Sequence, residues 1–445
     1  MGIPHFLVIP YPSVGHVNPL MQLSQLLAKH GCNITLLNTE FNHKRANSAG
    51  AAGLDNPKET RIRFVTLPDG LGPEDDRNDP KKVIFSIKSN MPPMLPKLIE
   101  EVSALHVDNT ITCIIVTVNM GWALEVGHKL GIKGALLWPA SATSLATCHC
   151  IPRLIDDGII DSDGNPSEKQ EIQLSPNLPM MDTANFPWCG LGKDLFHHIM
   201  QEMQTLKLGE WWLCNTTYDL EPAAFSISPR FLPIGPLMES DNNKGSFLQE
   251  ETTCLDWLDQ QPPQSVIYVA FGSSAVLDPN QFKILALGLD SLNKPFIWVA
   301  RLSNDNNINN AYPDEFHGSK GKILSWAPQR KILNHPAIAC FISHCGWNST
   351  IEGVCGGVPF LCWPFLKDQF VNKSYICDIW KVGLGLDKDE NGLISMEEIR
   401  KKVEQLLGNQ VIKARSLKLK EFTMNNIVEG GHSTKNLENF INWAE

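Results

Sequence analysis

Short apolar runs recur along this chain, separated by stretches whose apolar residues return every three or four positions. Phe6-Leu7-Val8-Ile9 is the first run and reads as a buried strand. A loop is expected over 10–17. Asn18 with Pro19 behind it then predicts a helix start, Leu20, Leu23 and Leu27 keep the helical spacing, and Gly31 ends it. Further strands are predicted at 33–37, 113–116 and 134–138, with a helix at 122–130 between the last two. Residues 238–252 interrupt the pattern with a polar stretch, Glu239 to Ser246, that reads as a linker. The alternation then restarts. Strands are expected at 266–271, 296–300, 339–343 and 358–363, and helices at 280–292, 397–407, 414–427 and 433–443.

Repeated β-α-β units imply parallel sheets covered by helices. The fold class is therefore α/β, with two Rossmann-like doubly wound domains expected to face each other across a cleft. The predicted division is 1–238, a linker at 239–252, a second domain at 253–428, and a C-terminal helix at 429–445 returning to the first domain. Loops at the carboxyl ends of strands carry ligands in such sheets, so the residues there matter most.

Composition narrows the function. The 445 residues are 43% hydrophobic and 19% charged, which suits globular cores rather than disorder. A net charge of -10 argues against nucleic acid or a polybasic membrane anchor. No run reaches the ~20 apolar residues of a membrane span, and the N-terminus carries no basic targeting region. The twelve cysteines form no CxxC pair and are expected to be reduced and buried, with no metal site. Cytoplasm and a monomer are the default expectations, and the sequons at Asn33, Asn215, Asn348 and Asn372 are read as chance. A dinucleotide GxGxxG after the first strand and a phosphate-loop GxxxxGK[ST] are both missing, which disfavours a dehydrogenase or a phosphotransferase.

One segment is denser in chemistry than any other. It runs from Trp326-Ala327-Pro328-Gln329 through His335-Pro336 to Ser343-His344-Cys345-Gly346-Trp347-Asn348-Ser349-Thr350. Glu352-Gly353, Gly356-Gly357-Val358-Pro359, Trp363-Pro364 and Asp368-Gln369 follow. A strand ending at Ser343 and a helix starting near Asn348 would aim free N–H groups at an anion. Read locally, Asn348 and Ser349 also suit a helix cap, with Ser349-x-x-Glu352 as a capping box. Trp326 alone would also suit a packed core position.

In length and in nearly every fixed position this segment resembles the signature box of the plant UDP-dependent glycosyltransferases of secondary metabolism, enzymes of the GT-B fold. Gly15-His16, Trp257-Leu258-Asp259 and Phe271-Gly272-Ser273 extend the likeness over the whole chain. The resemblance implies a donor site for UDP-glucose, a co-substrate, with no cofactor and no metal. Trp326, with Ala327 beside it, would stack on uracil, Gln329 would contact the ribose, and Glu352 would hold the ribose hydroxyls. His344, Gly346, Asn348, Ser349 and Ser273 would serve the diphosphate, and Trp347, Asp368 and Gln369 the sugar hydroxyls. A glutamine in last place accompanies glucose as donor sugar in that family.

Tyr11-Pro12-x-x-Gly15-His16-x-x-Pro19 resembles the family's N-terminal motif, whose histidine deprotonates the acceptor. The aspartate that normally orients it belongs, in the frame Cys113 to Trp122, at position 117. This chain has Thr117, a neutral residue, with Asn119 two positions on as an uncharged substitute. The acceptor, a small phenolic, flavonoid, terpenoid or steroid, is expected on loops at 69–79, Trp122, Ser141, Thr143 and Trp188. The expected reaction is inverting transfer of glucose to a hydroxyl, with His16 as general base. The alternative is a UDP-sugar-binding form weakened in catalysis by Thr117.

Overall fold

A computed structural model describes residues 3–48, 61–104, 110–238, 251–273, 275, 277–300, 313 and 316–445. Most of the expected linker, 239–250, lies outside the described residues. Those described fall into two compact units, one within 1–178, 182–249 and 426–445, the other within 179–181 and 250–425.

The first unit is built on β1 (His5–Ile9), β2 (Asn33–Thr39), β3 (Ile62–Leu67), β4 (Cys113–Val116) and β5 (Lys133–Trp138). The two-residue strands β6 (Glu171–Ile172) and β7 (Met181–Asp182) lie outside its sheet, which β8 (Trp211–Cys214) and β9 (Phe231–Pro233) complete. The strand order is β3-β2-β1-β4-β5-β8-β9, and every pairing is parallel. Every residue of β1 and β4 is buried, which is why both appear in the sequence as unbroken apolar runs.

The second unit carries β10 (Val266–Ala270), β11 (Phe296–Val299), β12 (Gly321–Leu324), β13 (Ile338–Ser343), β14 (Phe360–Cys362) and β15 (Gly383–Gly385), in the all-parallel order β12-β11-β10-β13-β14-β15. Both orders reverse direction once beside their first strand. The reversal falls between β1 and β4 in one unit and between β10 and β13 in the other. Helices leave opposite faces at such a point and open a crevice at the strands' carboxyl ends. The register sets Ile9 against Val116 and Ala270 against Ser343. The next residues on each strand, Pro10 and Thr117, Phe271 and His344, therefore enter those crevices' loops.

Two sequence expectations need correction here. The first helix is Val14–Lys29, not one capped by Asn18, and Pro19 lies inside it. Ser13 is its N-cap in extended geometry, and the turn before it is pinned because the Asn42 amide donates to Pro12 O at 3.1 Å. His16 thus sits in the helix's first turn rather than in a preceding loop. The helix of the donor box is Trp347–Gly356 with Gly346 as N-cap and no side-chain cap, so neither Asn348 nor Ser349 caps it.

The last helix, His432–Ala444, belongs to the first unit. Its Leu437, Phe440, Ile441 and Ala444 join the core formed by Phe6, Val8, Leu20, Ile115 and Leu213. Phe440 packs at 5.5 Å from Phe6 and 5.6 Å from Trp211, and the Asn436 amide donates to Pro233 O at 2.8 Å. All twelve cysteines are free, and only Cys189 and Cys377 are less than buried. Among the described residues, no helix is long and apolar enough to cross a membrane.

Candidate functional site

In the second unit the crevice between β10 and β13 collects the residues of the box. The loop after β10 holds Gly272 at φ +69°, open to glycine, and the loop after β13 holds Cys345 at φ 64°, a left-handed conformation that a residue with a side chain seldom adopts. His344 lies between these loops, 8% exposed. A Cβ built on Gly272 would stand 2.5 Å from its Nε2, and one on Gly346 only 2.3 Å away. Both glycines are therefore required for the imidazole to lie against two backbones at once. Ser273 follows Gly272, and the helix at Trp347–Gly356 opens beside His344. The first N–H groups of a helix have no acceptor within it, so this end is suited to an anion.

A hydrogen-bonded cluster adjoins the helix. Gln329 Nε2 donates to Ser349 Oγ at 2.8 Å and to Glu352 Oε2 at 2.6 Å. Tyr268, on β10, donates through its hydroxyl to Gln329 Oε1 at 3.1 Å. Sequence reasoning had placed Gln329, Ser349 and Glu352 in the site, but not Tyr268. A tyrosine in the middle of a buried strand was the available signal, since a buried phenol hydroxyl needs a partner. Trp326 is half-buried, while Ala327 beside it is buried.

Asn372, fully buried, joins two parts of the box. Its amide donates to Cys345 O and to Asp368 Oδ2, both at 2.9 Å. Asp368 is thereby held next to the loop that follows β13. Burial pushes the Asp368 carboxyl above its ordinary range, and the Asn372 amide opposes this. Asn372 had no part in the site expected from sequence; its position four residues after Asp368 is the signal for one. Gln369 is 5% exposed, and its Oε1 accepts from Phe365 N at 2.8 Å and Leu366 N at 3.1 Å. Its carbonyl is thus committed to the loop, and its amide N–H groups remain as donors. Trp347 is 3% exposed, with its ring 6.4 Å from that of Trp380.

In the first unit, the crevice between β1 and β4 gathers Tyr11, His16, Thr117 and Asn119. Thr117 is fully buried, and its Oγ1 accepts from Tyr11 N at 2.9 Å. The Tyr11 ring meets the His16 imidazole edge-on with centroids 5.2 Å apart. Thr117 thus holds the turn that carries the histidine. Asn119 does not orient His16: its Oδ1 pairs with His198 Nε2 at 3.2 Å. At φ 76° its backbone is left-handed, which turns its side chain toward the helix Lys193–Thr205.

That helix supplies a buried pair one turn apart. Glu202 accepts from Gly121 N at 2.7 Å and from the Asn119 N–H. Burial pushes the Glu202 carboxyl from 4.5 to about 7, and holds the His198 imidazole down from 6.5 to about 4, with Lys88 adding to the latter. A carboxyl raised in the folded state stabilises the fold below the unfolded value, near 4.5, and loses that contribution as pH rises toward 7. A histidine lowered in the folded state acts in the opposite sense, stabilising above 6.5 and losing it toward 4. The two slopes oppose each other between those values. Glu202→Gln leaves the histidine slope alone. Its unfolding free energy relative to wild type should climb by about 1.4 kcal/mol per pH unit from pH 5 to 7. Denaturant titrations at both pH values check this; a constant difference would show that Glu202 is ionised throughout.

The acceptor candidates are mostly taken up by the fold. Ser141 caps the helix Ala142–His149, accepting from Ser144 N at 3.2 Å. Thr143 N and Ala142 N both donate to the buried Glu221 carboxylate at 2.9 Å. Trp122 is 5% exposed. Trp188 lines a cavity of about 300 Å³ with Asp163, Lys193 and Phe196, while its indole N–H donates to Gly164 O at 3.0 Å.

With this geometry in place, three comparisons agree. Residues 177–429 match the family described as UDP-glucoronosyl and UDP-glucosyl transferase. The chain is 42% identical to UDP-glycosyltransferase 83A1 of Arabidopsis thaliana, over 100% of the chain and 97% of that protein. It is 34% identical to the (R)-mandelonitrile beta-glucosyltransferase of Prunus dulcis, over 86% of the chain and 85% of that protein. Among solved structures, a UDP-glucosyltransferase from Polygonum tinctorium, in complex with 3,4-dichloroaniline, superposes with a TM-score of 0.83 at 25% identity, covering 100% of this chain and 99% of that one.

Proposed function

Because the chain belongs to the UDP-glucoronosyl and UDP-glucosyl transferase family, we propose that it moves glucose from UDP-glucose to a hydroxyl of a small, largely apolar metabolite, inverting the anomeric carbon. The observation that carries this is the cluster of the second unit, where His344 lies between Gly272 and Gly346 and Gln329 joins Ser349 to Glu352. UDP occupies that crevice, with uracil on Trp326 and the ribose at Glu352. The diphosphate meets His344, Ser273 and the N–H groups of the helix at Trp347–Gly356. These donors stabilise the charge that develops on the leaving group, and the reaction calls on no metal ion.

His16 accepts the proton of the acceptor hydroxyl as its oxygen attacks the anomeric carbon from the face opposite UDP. Phenolic, flavonoid, terpenoid and steroid alcohols are the acceptor classes considered. Relatives named for mandelonitrile and 7-deoxyloganetin support a small-molecule acceptor. The free, mostly buried thiols support residence in a reducing compartment such as the cytosol. A second reading, a UDP-sugar-binding form with weakened transfer, is favoured by one observation: the neutral Thr117 at the place of the orienting carboxylate. An acceptor panel incubated with UDP-glucose and read by mass spectrometry separates the two. Glucosides among the products support transfer, whereas UDP binding without any product supports the second reading.

Asp368 offers carboxylate oxygen and Gln369 only N–H, so the pair is matched to one arrangement of sugar hydroxyls. UDP-glucose should outcompete UDP-galactose by about tenfold in kcat/KM, the effect of one well-placed hydrogen bond. Direct competition between the two donors checks it, and a galactose preference would remove Gln369 from the choice of sugar.

A further inference from the structure

Tyr268 lies at the centre of β10, 1% exposed, with its ring 5.1 Å from that of Phe341. Its hydroxyl reaches Gln329 Oε1 at 3.1 Å. The Gln329 amide therefore has its carbonyl on the phenol and its two N–H groups on Ser349 Oγ and Glu352 Oε2. The reverse orientation would put a carbonyl oxygen against a carboxylate, so Glu352 selects this one and the phenol, donating to the carbonyl that it turns inward, holds it in place. What this surface can still offer a ligand is acceptor capacity: the Glu352 carboxylate and the second lone pair of Gln329 Oε1. Two acceptors held a fixed distance apart suit a pair of neighbouring hydroxyls, each donating.

We propose that Tyr268 is a positioning residue for the nucleotide, locking the Gln329 amide so that Glu352 and Gln329 receive the vicinal diol of the ribose. This rests on the reading of the second unit as the UDP site. Tyr268 touches no substrate. Its effect passes through Gln329, and it should govern affinity for ribonucleotide donors rather than the chemical step.

Tyr268→Phe keeps the ring and removes the hydroxyl. With UDP-glucose the variant should show KM raised about five- to tenfold and kcat within about twofold of wild type, with UDP binding by calorimetry weakened by a similar factor. With 2′,3′-dideoxy-UDP-glucose, which lacks both hydroxyls of the diol, variant and wild type should be nearly equal, because the contacts that Tyr268 organises are already lost. An equal penalty on both donors would overturn the proposal by showing a general packing role, and so would an unchanged KM on both. Glu352→Ala separates this failure from that of the site. If it weakens UDP binding while Tyr268→Phe does not, the nucleotide site stands and the tyrosine's role falls. If Glu352→Ala leaves UDP binding unchanged, both fall.

Discussion

His16→Ala should cut turnover by roughly two to four orders of magnitude, the usual contribution of a general base, while UDP binds as before. The two effects separate because the histidine and the donor cluster belong to different compact units. His16 is in the first turn of Val14–Lys29, and Gln329, His344 and Glu352 are in the second unit. A histidine that merely supported the fold would lower stability and both parameters together. The measurement is single-turnover transfer to an alcohol acceptor, alongside calorimetric titration with UDP. A variant keeping more than about a tenth of wild-type turnover would show that another group takes the proton.

Thr117→Asp should raise kcat/KM, by roughly tenfold for an alcohol acceptor, since a carboxylate supports an imidazole both in orientation and in charge. One contact already in place bears on this outcome. Thr117 Oγ1 already accepts from Tyr11 N at 2.9 Å, and a carboxylate has a second oxygen to offer after taking over that bond. An adjacent negative charge favours the protonated ring, so the acid limb of the pH profile should move to higher pH. Acidic phenols, which ionise unaided, should gain least. Profiles of kcat/KM against pH for one alcohol and one phenol decide it. If a folded variant shows no gain with either acceptor and no shift of the acid limb, position 117 serves only the turn at Tyr11.

Much of the donor site was legible because its residues are close in sequence and its strands are buried on both faces. Such strands leave unbroken apolar runs, as in β1, β4 and β10. The start of the first helix was not legible. Gly15 and Pro19 read as loop and helix entry, yet the Asn42 contact to Pro12 and the Thr117 contact to Tyr11 fix the turn early enough for the helix to begin at Val14. The local pattern at Asn348 and Ser349 also suited a cap, whereas the helix begins a residue earlier with Gly346 as its N-cap, beside a loop that Asn372 holds from 27 positions away. The strands β8, β9, β12 and β15 are at most four residues long, too short to set a period. Glu202 and Tyr268 act through partners 81 and 61 residues distant, a separation that no local pattern encodes.

The helix His432–Ala444 completes the core of a unit whose last strand, β9, ended at Pro233. Nearly two hundred residues must leave the ribosome between the two. At ~5–20 residues per second that interval is roughly ten to forty seconds. Throughout it the place that Phe440 fills against Phe6 and Trp211 lacks its side chain. The second unit is therefore synthesised whole before the core of the first can close.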